Sequence, residues 1–209
     1  MLPIRIISKV VKGFGRGSSE LGIPTANLSS APQDMKCLMS FDALPTGIYF
    51  GFARLDSSPD TCSSSTNSSA TDATTNTTTN GARNLPSLRG VVYKAAISIG
   101  YNPCYKNEHK TIEPHLIAPP GHPSRSISAC QETQFHELYN ETMRLSIVGY
   151  LRPELPFEGL DKLIVAIKKD IVDTEESLSL SLRDEDGDNA QHHFLVESEK
   201  AWVLSNDGV

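Results

Sequence analysis

Between Lys12 and Leu28 the chain reads KGFGRGSSELGIPTANL, with Gly13, Gly15, Gly17 and Gly22 spread through it and Pro-Thr-Ala-Asn at its close. Glycine tolerates positive φ and lets a ligand approach the main chain. Pro24 fixes its own φ and pushes Ile23 towards an extended conformation. Extended chain beyond it would set Thr25 and Asn27 on one face and Ala26 on the other. A Walker-type loop needs Lys-Ser/Thr straight after its last glycine, but Gly22 is followed by Ile23 and Pro24. The dinucleotide fingerprint needs a sixth-position glycine and then a helix; Ser18 holds that position and Pro24 precludes a smooth helix. What is left is an amide-rich loop ending in two side-chain oxygens that point the same way, suited to an anion and a metal. Taken alone, such a loop is more often a flexible hairpin connection.

Working outward from that loop, the chain is strand after strand. Ile4 to Val11 is β-branched and stops near glycine, so a first strand is predicted there. Ser29 to Leu44 reads as a polar connection. From Thr46 the run PTGIYFGFARL alternates Ile48, Phe50 and Phe52 against Tyr49, Gly51 and Ala53; small residues opposite aromatics suit a small, curved barrel. Arg89 to Gly100 places Val91, Tyr93, Ala95, Ile97 and Ile99 on one side. Lys110 to Ile117 (KTIEPHLI) places Thr111, Glu113 and His115 on a common face. QFHELYNE suggests a helical turn, and Met143 to Leu151 is a further strand with Met143, Leu145 and Ile147 inward. Leu160, Leu163, Ile164, Ile167 and Ile171 then follow the spacing of an amphipathic helix over 159–182. After Arg183 the chain turns acidic and irregular, with His192 to Val196 read as a last short strand or a packed tail. Strands first and one long helix afterwards predict a mainly β fold, a closed or nearly closed antiparallel barrel with a long C-terminal helix packed against it. The domain spans 1–182, with the tail at 183–209.

Composition narrows the function. The chain has 209 residues, a formal net charge of -6 and 38% hydrophobic residues, below the globular average. The balance argues against a nucleic-acid footprint, which needs a basic face. Residues 57–84 are almost wholly Ser, Thr, Asn and Ala, too polar to offset the entropy of ordering, and are read as a disordered insertion. Residues 118–130 are read as a second inserted loop. Cys37, Cys62, Cys104 and Cys130 are too far apart for a metal framework and read as free thiols of a reducing compartment. With no membrane-spanning apolar run and no secretory leader, the chain is expected to be cytoplasmic, with mitochondrial association open.

Set in order, KGFGRGSSELGIPTAN, TGIYFG, SIGYNPCYKN, TIEPHLI, LYNE and VGYLRPE resemble the riboflavin kinase family of the eukaryotic type. The specificity lies in PTAN and in VGYLRPE following a strand glutamate. The resemblance implies a six-stranded Greek-key barrel that transfers the γ-phosphate of ATP to the 5'-hydroxyl of riboflavin, giving FMN and ADP. It implies that Thr25 and Asn27 ligate magnesium, for which zinc or manganese could substitute, and contact the nucleotide phosphates. Gly13 and Ser19 would lie on the nucleotide, Ser19 standing where some members have lysine. Ala118 stands where some have histidine. Leu116 and Tyr139 would line the adenine side, and Arg152 and Phe157 would contact the flavin. Glu113 would be the general base, reaching the glycine loop from across the barrel. Partners are then riboflavin/FMN and ATP/ADP, and a closed barrel without exposed edges is by default a monomer.

The residues agree with that chemistry. Phosphoryl transfer asks for alignment, charge neutralisation and a base. Glu113 is the only acid between Glu108 and Glu132, and it lies inside an apolar strand. Thr25 and Asn27 supply neutral oxygens only, so magnesium is expected to arrive with the nucleotide. The plainer alternatives are a turn cap for Thr25 and Asn27, a solvent-facing strand position for Glu113, a packed strand histidine for His115, a poor metal pair for His192-His193 and a surface ion pair for Arg152. Two other functions compete: a flavin- or nucleotide-binding module without turnover, and an oligonucleotide-binding barrel, which would need a basic groove with stacking aromatics.

Overall fold

A computed structural model describes residues 2–12, 25–37, 43–56, 90–101, 110–117, 119–121, 139–179 and 187–209. In them the chain forms seven strands and two helices: β1 (Ile4–Val11), β2 (Asn27–Leu28), β3 (Met35–Cys37), β4 (Gly47–Leu55), β5 (Val92–Gly100), β6 (Thr111–Ile117), β7 (Thr142–Arg152), α1 (Leu160–Ser177) and α2 (Gly187–Leu204). Every strand pairing is antiparallel. β4, β5 and β6 form a meander and β7 returns beside β4, which is a Greek key. β1 follows β7, and β2 pairs with both β1 and β6, so the ring closes in the order β1-β2-β6-β5-β4-β7. This is the expected six-stranded barrel.

Alternation along the strands explains why the ring is solid. Ile6, Tyr49, Tyr93, Ile97, Leu116 and Leu145 are buried together inside it. Gly51 is required by the approach of β4 to β7: a Cβ there would lie 1.8 Å from the Ser146 carbonyl oxygen. The opposite parity of β4 turns Phe50 and Phe52 outwards, where Val196, Trp202 and Val203 of α2 cover them. Ile117 of β6 likewise packs on Ile171 of α1.

Three elements differ from the sequence expectation. β3 was expected to be connection; its Met-Lys-Cys carries no alternation, and it exists because it pairs with Ile6–Ser8 of β1. The tail expected to be irregular instead carries α2. Its acidic residues include Glu199, only 2% exposed, which accepts from Arg5 Nε and Nη2 at 2.9 Å each and from Ser146 Oγ at 2.8 Å. Arg54 and Arg144 stand directly opposite one another on β4 and β7, a like-charge pair that is unfavourable unless compensated. Asp56 bridges both, and the carbonyls of Leu204, Ser205 and Asp207 accept from one or the other, so the chain after α2 is fastened to the sheet. Finally, the α1 stripe is buried only in its second half: Ile171 is buried, Ile167 partly so, and Leu160 is 55% exposed. The inserted tract at 57–84, most of the loop at 118–130 and the QFHEL part of the expected helical turn, before Tyr139, lie outside the described residues. Cys37 forms no disulfide. No helix among the described residues is long and apolar enough to cross a membrane.

Candidate active site

The site grows from the place where β2 closes the ring. Leu28 pairs with Ile112, and the Ala26 amide donates to the Pro114 carbonyl at 2.9 Å. One step along this register, Asn27 and Glu113 stand directly opposite on neighbouring strands. Leu28 and Ile112 are core residues and Ala26 packs against the same core, so alternation puts Thr25, Asn27 and Glu113 on the outer face. Cross-strand neighbours on one face touch or nearly touch. The expectation that Glu113 reaches the loop from across the barrel is therefore corrected: a filled interior leaves no path, and the β2–β6 pairing makes the two residues adjacent instead.

Glu113 is partly buried, and that burial raises its carboxyl above the ordinary range; a hydrogen bond from Thr111 Oγ1 at 3.2 Å pulls the other way. A second carboxylate lies close by. Glu154 follows β7, and a Cβ on Gly100 would come within 2.1 Å of its Oε1, so the carboxylate occupies the notch that glycine leaves beside Thr111. Its acid is also raised, first by desolvation and then by the Glu113 charge, with Arg152 opposing. Arg152 itself makes a forked ion pair with Asp170 of α1, Nε to Oδ1 and Nη2 to Oδ2 at 2.7 Å each. The guanidinium also sits 5.7 Å from the Phe157 ring centroid.

At the other end, Asn27 pairs with Val11 on β1, which carries the chain into the glycine-rich stretch. Tyr139 lies at this same end and is 44% exposed: its neighbour Asn140, at φ 68°, donates its amide to the Val10 carbonyl. Leu116 is 1% exposed in the barrel core, so its side chain is committed to packing and only its main chain is left to meet a nucleotide. Gly13, Ser19 and Ala118 lie outside the described residues. His115 is buried, as a packed strand histidine would be. His192, on α2, has its Nε2 3.3 Å from the Ser177 carbonyl oxygen of α1, and no group of three His, Cys, Asp or Glu able to hold a metal occurs among the described residues.

The riboflavin kinase family model, Flavokinase, matches residues 1–178. The chain belongs to the riboflavin kinase family. A riboflavin kinase of Aspergillus fumigatus is 35% identical, over 97% of this chain and 90% of its own length. The human riboflavin kinase is 34% identical, over 86% of this chain and 83% of its own. The crystal structure of riboflavin kinase from Trypanosoma brucei superposes with a TM-score of 0.53 at 17% identity, covering all of this chain (100%) and 94% of that one, a likeness of fold. For a riboflavin kinase, two residues of the site were not singled out from sequence. Glu154 belongs to the VGYLRPE motif, which by itself gives it no role. Asp170 lies three residues after Ile167 and directly before Ile171, so an acid on the core-facing stripe was the available signal for a buried partner.

Proposed function

We propose that phosphoryl transfer from ATP to riboflavin, the reaction of this kinase's family, takes place on the outer wall of the barrel where β2 meets β6. The observation that carries this is the register that sets Asn27 opposite Glu113. The riboflavin 5'-hydroxyl lies against Glu113, its oxygen attacks the γ-phosphorus, the bond to the bridging oxygen of ADP breaks, and Glu113 accepts the hydroxyl proton. A carboxylate raised by burial is better matched to that proton than an ordinary one. Thr25 and Asn27 suit a hard cation that brings phosphate oxygens with it: they offer neutral oxygens, too little charge for a free ion. Magnesium bound with the nucleotide would neutralise phosphate charge there, with zinc or manganese as substitutes. Gly13 and the neighbouring amides meet the phosphates, and Tyr139 and the Leu116 main chain meet the adenine. Arg152 and Phe157 meet the flavin. We place the enzyme in the cytoplasm as a monomer, with mitochondrial association open.

The binding-module alternative is disfavoured because Thr25, Asn27 and Glu113 are all present, and the oligonucleotide alternative because the net charge is -6. The test is incubation with riboflavin, ATP and magnesium followed by chromatography. FMN is the expected product. Riboflavin binding without FMN would leave the module, and binding of single-stranded oligonucleotides without either would leave the other alternative.

A further inference from the structure

β7 ends at Arg152 and the turn after it carries Glu154 and Phe157; its apolar residues do little to seat it, since Pro153, Leu155 and Pro156 follow no periodic pattern and Leu155 is exposed. It is held at two points, the Glu154 carboxylate in the notch at Gly100 and the Arg152 guanidinium. Asp170, on α1, is 4% exposed and takes both forks of Arg152 at 2.7 Å. A planar guanidinium bound on two prongs has its plane set as well as its position. The same guanidinium stands against the Phe157 ring at 5.7 Å, and its Nη1 donates to the Pro153 carbonyl at 3.0 Å, so one side chain ties the turn to itself and to the helix. The strand side is equally close-fitting: a Cβ on Gly47 would lie 2.6 Å from the Arg152 carbonyl oxygen. We infer that Asp170 is a positioning residue for flavin binding, acting through Arg152 to hold the Arg152–Phe157 pair in the orientation that receives the isoalloxazine ring.

This rests on the reading above that Arg152 and Phe157 meet the flavin, and it commits Asp170 to a role in one substrate site only. The nucleotide end, at Thr25, Asn27 and Tyr139, is built on β2 and on the turn before β7 rather than on α1. A structural role alone would lower folding stability and disturb both substrates together.

Asp170→Asn keeps the size and removes the charge, and Arg152→Gln removes the partner. The expected result is a riboflavin KM raised about tenfold by Asp170→Asn, with the ATP KM within about twofold of the parent. In the Arg152→Gln background the same Asp170 change should have no further effect, because its path through Arg152 is already gone. The neutral double variant leaves no buried charge unpaired, so it supplies the comparison even where Asp170→Asn alone folds poorly. An unchanged riboflavin KM, an equal rise in both KM values, or a full additional effect in the Arg152→Gln background would each overturn the inference. If the parent enzyme made no FMN, the catalytic reading itself would fail; FMN production with an indifferent Asp170 would fail the inference alone.

Discussion

As the proposed base, Glu113 would meet two demands that pull against each other. Its burial raises the acid, so folding favours the protonated form, whereas a general base must be ionised. The sign follows from linkage: with the folded pKa above the unfolded one, the stabilising contribution is fully present below the unfolded pKa and is lost as pH rises through the folded pKa. Glu113→Gln should therefore lower kcat by about 10²–10⁴-fold while leaving the protein at least as stable at neutral pH as its parent. The pH profile of kcat checks the assignment. Activity of the parent should fall as pH is lowered through a pKa above the usual carboxylate range, and that limb should vanish in the variant. Glu154, also raised, lies near enough to add its repulsion while both acids are charged. A variant with full turnover at saturating riboflavin and ATP would remove Glu113 from the chemistry.

The elements were unequally legible. Strands whose alternation carries an apolar face were plain, and β1 runs Ile4–Val11 as read from its β-branched residues. The two-residue β2 and three-residue β3 are shorter than any repeat that can announce them, and they exist through pairing with β1. Of the site, Glu113 stood out as an isolated acid in an apolar strand, but its closeness to Asn27 depends on register, which no local pattern encodes. α2 was obscured because its inward face is mixed: Glu199 and Trp202 are buried beside Val196 and Val203. Trp202 is flanked by the guanidinium groups of Arg5 and Arg144, at 5.1 and 5.3 Å from its ring centroid. That arrangement makes α2 structural. Trp202→Ala should cost about 3–5 kcal/mol, seen as a lowered denaturation midpoint, with both substrate KM values retained. A loss of riboflavin affinity at unchanged stability would contradict it.

For the molecule as a whole, the order of strands sets the proposed base opposite the wall that α2 fastens. β6, which bears Glu113, lies three places round the ring from β7, and α2 packs on β7 and β4. In the proposed mechanism the β2–β6 wall would take up its metal only together with the nucleotide. Magnesium titrated into nucleotide-free enzyme should give no tight binding, while the same titration with a non-hydrolysable ATP analogue should; calorimetry distinguishes them, and tight binding without nucleotide would refute the assignment of Thr25 and Asn27. The ring has one further property. Its other strands have 7, 8, 9, 9 and 11 residues, and β2 has 2. The barrel is completed by its shortest member, and that member carries Asn27. Opening should begin at the cheapest hydrogen bonds, which puts a seam of the free enzyme beside the proposed active site. Whatever engages Asn27 on one side and Glu113 on the other spans that seam, and substrate then serves as the clasp that keeps the ring shut.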